Sequence, residues 1–194
     1  MTTVSVCVYC GSRPGALPAF TDAAHAVGHE IGRRGWQLVY GGGRAGLVGV
    51  VADAALAAGS RVVGVIPQSL MGRELGHLGL TELHVVDTMH QRKMMMAERS
   101  DAFLALPGGI GTLEELFEVW SWRQLGYHDK PLGLLNVAGY YDRLLEFLEL
   151  SVQQGFVATT QAELLVVETE PRIMLNRLVD SSRLAIQADD YRRT

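Results

Sequence analysis

Short apolar runs rich in β-branched residues alternate along this chain with longer stretches in which apolar positions recur every three or four residues. The short runs, near 4–10, 36–40, 61–66, 82–86, 101–106, 131–136 and 164–167, predict strands; the longer ones, near 18–34, 45–58, 89–100, 112–125, 140–154 and 171–180, predict helices. Gly, Pro or a polar cluster bounds each of them. Such alternation is the pattern of βαβ units around a parallel sheet, so the fold class expected is α/β, a Rossmann-like doubly wound parallel sheet in a single domain. That catalytic domain is expected over 1–180, with a loosely attached C-terminal tail at 181–194. The sequence has no internal repeat, low-complexity tract or linker that would divide it.

Composition narrows the partners. The chain has 194 residues, of which 48% are hydrophobic and 20% charged, enough for one continuous core. Seventeen Lys and Arg against 21 Asp and Glu give a net charge of −4, so no overall basic field draws it to nucleic acid or an anionic membrane. A bound phosphate must therefore be held locally. The start of the chain lacks a basic segment ahead of an apolar run, and no stretch approaches the roughly 18 apolar residues of a membrane span. The expected localisation is cytoplasmic. The only cysteines, Cys7 and Cys10, form C-x-x-C within an apolar strand run. A redox pair belongs at an exposed turn and a zinc site needs further ligands, so both are expected to be buried small hydrophobes in a reducing compartment.

Ligands of doubly wound sheets sit beyond the carboxyl ends of the strands, where strand order reverses. Three glycine-bearing turns follow strands: Cys10-Gly11-Ser12-Arg13, Gly41-Gly42-Gly43-Arg44-Ala45-Gly46, and Pro107-Gly108-Gly109-Ile110-Gly111-Thr112. None is the G-x-G-x-x-G dinucleotide fingerprint after the first strand, and no acidic residue ends the second strand, which disfavours a nicotinamide dehydrogenase. The lysine-bearing loop of nucleoside triphosphatases is missing too. Unpaired amides at a helix start, approached closely over glycines, suit a single phosphate group at the third turn. Ser12 has no nucleophile elbow around it, so phosphate hydrogen bonding or turn capping is its expected role.

Ahead of that loop, Arg92, Met96 and Arg99 fall on one helical face, and a guanidinium there could meet a phosphate or simply face solvent. Thr112-Leu113-Glu114-Glu115 reads as a capping box, with Thr112 and Glu115 exchanging side-chain to backbone bonds. A carboxylate beside a phosphate loop is also where cleavage of a nucleotide sugar would place its charge-stabilising group. On the residues alone the two readings of Glu115 stand level. Glu114 could likewise merely complement the positive helix end. The six histidines are scattered, and His25 and His29 lack an H-E-x-x-H pattern, so no metal is expected.

Taken together, Pro107-Gly108-Gly109-Ile110-Gly111-Thr112-Leu113-Glu114-Glu115 matches in full the P-G-G-x-G-T-x-x-E motif of the Lonely Guy family, and Met89-His90-Gln91-Arg92-Lys93 matches its second motif. Val6, Tyr9 to Ser12, Tyr40 to Gly43, Gly64 to Pro67, His128 to Pro131 and Gly139 to Asp142 extend the resemblance over positions 4 to 170. The resemblance implies a cytokinin riboside monophosphate phosphoribohydrolase, which releases a free adenine-type base and ribose monophosphate, often acts on AMP, and works as a homodimer without a cofactor. It implies Arg92 and Glu115 at the catalytic centre. Ser12, Gly42, Gly43, Arg73, Glu74, Lys93, Gly108, Gly109, Ile110, Gly111, Thr112, Leu113 and Glu114 are the expected substrate contacts. Many such proteins carry the label lysine decarboxylase. Pyridoxal phosphate chemistry needs a Schiff-base lysine with an acidic partner for the ring nitrogen, and Lys93 and Lys130 are the only lysines.

Breaking the bond between ribose and base builds oxocarbenium character on the sugar, which an ionised carboxylate can stabilise while activating water. Glu115 suits that work. Arg92 stays protonated at neutral pH and so orients substrate and stabilises charge rather than acting as an acid. The rival expectation is a non-catalytic nucleotide carrier or sensor of the same fold, which would need the glycine loop but not the carboxylate.

Overall fold

The computed structural model describes residues 3–72 and 76–190, with 181–190 described by backbone alone. Seven strands, β1 (Ser5–Tyr9), β2 (Gln37–Tyr40), β3 (Arg61–Pro67), β4 (Glu82–Val86), β5 (Ala102–Ala105), β6 (Leu132–Leu135) and β7 (Leu165–Glu168), form one sheet in the order β4-β3-β2-β1-β5-β6-β7. Every neighbouring pair is parallel. The chain steps outward from β1 to β4, then returns across the sheet to lay β5 against the other side of β1. This reversal between β1 and β5 is the topological switch point of a doubly wound sheet.

The helices are α1 (Pro18–Arg33), α2 (Leu47–Ala57), α3 (Met89–Glu98), α4 (Ile110–Gln124), α5 (Asp142–Gln153), α6 (Thr159–Ala162) and α7 (Pro171–Asp190). Residues along each strand alternate between the two faces. Val6, Val8 and Cys10 pack with Val27, Ile31 and Val51 of α1 and α2 and with Leu175 and Leu178 of α7. Cys7 and Tyr9 point the other way, to Met96 of α3 and to Leu116, Val119 and Trp120 of α4. The sequence therefore places its helices on both faces of the sheet. Among the described residues no helix is long and apolar enough to cross a membrane.

Strand and helix bounds agree with the sequence pattern to within a few residues, with three differences. The four-residue α6 lay inside an expected loop, where too few apolar positions recur to reveal a period. The last helix continues to Asp190 instead of ending near 180, through the first part of the expected tail. The start of α4 also differs, as described below. Pro18 opens α1 at its first turn, where its missing amide costs nothing, and Gly35 just past the end takes φ 67°, a left-handed position that suits glycine.

Helices α1 and α2 approach closely because Gly28 and Gly32 share one face of α1. A Cβ at Gly28 would press into the Val51 carbonyl, and one at Gly32 would lie 2.5 Å from the Ala58 Cβ. Alanine is the better helix former by roughly 1 kcal/mol, but overpacking typically costs about 1–3 kcal/mol, more where backbone is struck. Gly28→Ala is therefore expected to lower the stability measured by urea unfolding, against its helix propensity.

Candidate active site

The carboxyl ends of β1 and β5 bring the first and third glycine turns into contact. The Gly11 amide donates to the Pro107 carbonyl at 3.1 Å, and Gly11 would meet the Gly108 Cα at 3.4 Å if it carried a Cβ. A Cβ on Gly108 would collide with the Thr112 hydroxyl and approach the Gly11 nitrogen to 2.8 Å. Glycine at position 108 is thus demanded by the packing of one loop on the other, while at Gly11 the tight approach is to the Arg13 carbonyl of its own turn, 3.0 Å from a Cβ. Above this seam opens a cavity of about 530 Å³, a size common for small-ligand sites.

Arg92 reaches the cavity from α3, the helix that carries the chain from β4 back to β5. The side chain is buried and lines the cavity, its Nη2 donating to the Gly41 carbonyl at 3.0 Å and its Nη1 lying 3.9 Å from the Met89 sulfur. Any Cβ on Gly41 would strike the guanidinium. Arg99, expected on the same helical face, caps the end of α3 and bonds Glu82 at 3.4 Å, away from the cavity. At its start α3 has a complete capping box between Thr88 and Gln91. The sequence Thr88-Met89-His90-Gln91 carries the S/T-x-x-E/Q pattern from which it could have been read.

The capping box expected at Thr112 and Glu115 is not formed. Helix α4 begins two residues earlier, at Ile110, with Gly109 as N-cap and no side chain capping it. Thr112 is buried against Gly108, so its hydroxyl faces inward and is unavailable as a cap. Glu115 consequently sits inside the helix, half-buried, with its side chain on the cavity wall. Its charge is felt at the end of β1: burial, reinforced by Glu115, pushes the Tyr9 and Cys10 groups up, and burial pushes the Cys7 thiol up to about 12, with Glu115 adding to it and Arg92 opposing. Arg92 and Glu115 therefore converge on one place from different helices. The same two thiols are buried on opposite faces of the sheet, the behaviour of small hydrophobes rather than of a redox pair.

Gly109 and Gly111 differ from Gly108, the third glycine of the loop. Neither has a positive φ, and a Cβ at either would meet nothing within 4 Å. Packing does not require glycine at either position. What glycine leaves at these positions is open access to the backbone amides at the start of α4, whose dipole favours an anion.

Of the expected contacts, Ser12, Arg92, Gly108 to Thr112, Glu114 and Glu115 line the cavity. Gly42, Gly43, Lys93 and Leu113 are not among the described residues that do. Gly42 is buried, holds φ 75° and accepts from the His77 amide at 2.9 Å, so it shapes the turn after β2. Gly43 is buried beside it, and Leu113 packs against the core under α4. Lys93 turns sideways along α4, donating to Glu114 at 2.5 Å and Glu118 at 2.9 Å. Burial would lower its pKa, but the two carboxylates prevail and hold it raised. Arg73 and Glu74 lie outside the described residues. The cavity also takes in Gly41, Phe20, Met89 and Tyr140, which the sequence did not single out as contacts; the run Gly139-Tyr140-Tyr141-Asp142 was its one signal for Tyr140.

Fold and cavity together define a Rossmann-type α/β protein with its candidate site at the switch point. The family described as "Possible lysine decarboxylase" matches residues 48–178. A cytokinin riboside 5'-monophosphate phosphoribohydrolase of Arabidopsis thaliana is 49% identical over 89% of this chain and 80% of its own length. One from Oryza sativa subsp. japonica is 48% identical over 89% of this chain and 72% of its own. The chain belongs to this family, the Lonely Guy family. Two solved structures share the fold at a TM-score of 0.70: the molybdenum cofactor binding protein of Rippkaea orientalis, 22% identical over 93% of this chain and 98% of that one, and the Moco carrier protein of Chlamydomonas reinhardtii, 20% identical over 94% and 99%. The decarboxylase description has no lysine to work with at the cavity wall described: Lys93 is held by its two glutamates, and Lys130 donates to the Ala97 carbonyl at 2.7 Å.

The free space at Gly111 gives a direct prediction. Gly111→Ala adds a methyl group where the protein has room, in the first turn of a helix where alanine is favoured by up to roughly 1 kcal/mol. Its melting temperature is expected to equal or exceed that of the wild type. Its affinity for AMP, measured by calorimetry, is expected to fall at least about tenfold, the effect of ~1.4 kcal/mol.

Proposed function

We propose that this chain is a phosphoribohydrolase that cleaves the N-glycosidic bond of adenine-type (cytokinin) nucleoside 5'-monophosphates, AMP included, releasing the free base and ribose 5-phosphate. The observation that carries the reading is the pairing of two features in one cavity. Glycines that packing does not require leave the amides at the start of α4 open, and Glu115 stands on the same helix facing the same space. Its relatives' names agree with that chemistry. A carrier or sensor would use the first feature and have no need of the second.

In this reading the phosphate rests on the amides of Gly109 to Thr112, with Ser12 beside it. Arg92, held by the Gly41 carbonyl, orients the substrate and offsets its negative charge. Glu115 faces the ribose, where its carboxylate stabilises the developing oxocarbenium and takes a proton from the attacking water. Lys93 acts at one remove, fixing Glu114 from α3. Arg73 and Glu74 belong to the same reading as further contacts. So does a homodimer: large apolar side chains stay exposed, among them Met94, Leu125, Phe147 and Phe156, which a second copy would cover. A cytoplasmic site of action suits two free buried thiols.

Chromatography of products from isopentenyladenosine monophosphate, AMP and the matching nucleosides tests the reading. Free base is expected from the monophosphates and little from the nucleosides; equal turnover of AMP and adenosine would remove the phosphate argument. Glu115→Gln tests the chemistry. Because Glu115 is not a cap, the isosteric Gln should keep the helix start. Loss of a group that transfers a proton typically costs on the order of 10²–10⁴-fold in rate. Glu115→Gln is expected to bind AMP and turn over at least about a hundredfold more slowly; a rate within about threefold of wild type, ~0.7 kcal/mol of barrier, would take the mechanism away from Glu115.

A further inference from the structure

The turn after β6 is held in an unfavourable backbone conformation. Ala138 takes φ 50° and ψ 33°, the left-handed region, and it is the one non-glycine residue to do so among those described. Gly139 follows at φ 71°, where a Cβ would lie 2.6 Å from the Asp142 carboxylate. Such strain persists only where the surroundings over-determine it. Here the surroundings are the buried Asn136, whose Nδ2 donates to Asp142 Oδ1 at 2.7 Å, whose Oδ1 accepts from the Tyr141 amide at 2.8 Å, and whose own amide donates to the Glu168 carbonyl at 2.8 Å.

What the turn achieves is to send two successive tyrosines back onto the loop after β5. The buried Tyr141 hydroxyl donates to the Leu106 carbonyl at 2.7 Å, and the Tyr140 hydroxyl donates to the Gly108 carbonyl at 2.7 Å. The carbonyl between them, on Pro107, accepts from Gly11. Three consecutive carbonyls are thereby pinned from outside the loop. Tyr140 is itself on the cavity wall, its ring edge-on to Phe20 at 5.5 Å and 74°.

A peptide group is planar, with its carbonyl and the following amide pointing opposite ways, so holding the Gly108 oxygen fixes the direction of the Gly109 N–H. Gly109 has no side chain and no neighbour within 4 Å of its Cβ position; its carbonyl, on the far side of the residue, accepts from the Leu113 amide at 3.1 Å. We propose that Tyr140 is a positioning residue for phosphate recognition: its hydroxyl sets the Gly109 amide toward the cavity, and the strained Ala138 turn with its Asn136 network aims that hydroxyl. This rests on the reading of the loop as a phosphate cradle.

Tyr140→Phe removes the hydroxyl and keeps the ring. Calorimetry with AMP and steady-state kinetics test the role, with Tyr127→Phe, an exposed tyrosine off the cavity wall, as control. The Kd for AMP is expected to weaken by about threefold to tenfold, the range for losing one hydrogen bond. The loss should appear in KM for AMP rather than in kcat, while Tyr127→Phe behaves as wild type. An AMP affinity within about twofold of wild type would overturn the role, and so would a loss confined to kcat. Wild-type protein that binds no AMP would overturn the phosphate reading itself and this role with it; a wild type that binds AMP beside an unmoved Tyr140→Phe variant would overturn the role alone.

Discussion

The hydrogen bond from the Gly11 amide to the Pro107 carbonyl marks the constraint that organises the site, the contact of two glycine turns at the seam of β1 and β5. Because the chain reverses direction across the sheet there, no helix covers the strand ends, and a crevice must remain. Gly108 lets the turns touch, which brings the start of α4 over β1. From that placement follow the inward-facing Thr112, the N-cap at Gly109 and the presence of Glu115 on the cavity wall. Side chains at the seam would separate the turns and move all of these together.

A second constraint comes from the return path of the chain. Helix α3 must cross the face of the sheet from β4 to β5, and in doing so it passes under the end of β2. Arg92 is buried there against Gly41, and Lys93, the next residue, points instead along α4 to Glu114 and Glu118. Two adjacent cations on one helix thus do different things: one faces the cavity, the other ties α3 to the helix that carries Glu115. A buried guanidinium is costly without partners, and the Gly41 carbonyl gives it one.

Much of the fold was legible because strands of a parallel sheet are buried on both faces and read as apolar runs between glycines and prolines. All seven strands were found that way. The site was legible as far as its motifs run: the third glycine turn, Arg92 and Glu115 do lie together at the cavity. The rest depends on contacts far apart in sequence. That Lys93 bonds residues 21 and 25 positions away, or that Gly41 and not Gly43 meets Arg92, has no local trace. The start of α4 was misplaced for a different reason: Thr112 and Glu115 satisfy a capping pattern, but burial of the threonine against Gly108 overrides it. Tyr140 stood in a recognisable run of residues, yet only the folded turn shows its hydroxyl on the loop.

If the loop from Pro107 to Thr112 holds the phosphate of a nucleoside monophosphate while Glu115 faces its ribose, both contacts should be visible together in a crystal structure of the Glu115→Gln protein with AMP. The phosphate oxygens are expected within about 3 Å of the amides of Gly109 to Thr112, a normal hydrogen-bond distance, with the substituted side chain at position 115 beside the ribose. AMP bound in another place, or bound in the cavity with its phosphate away from these amides, would contradict that arrangement.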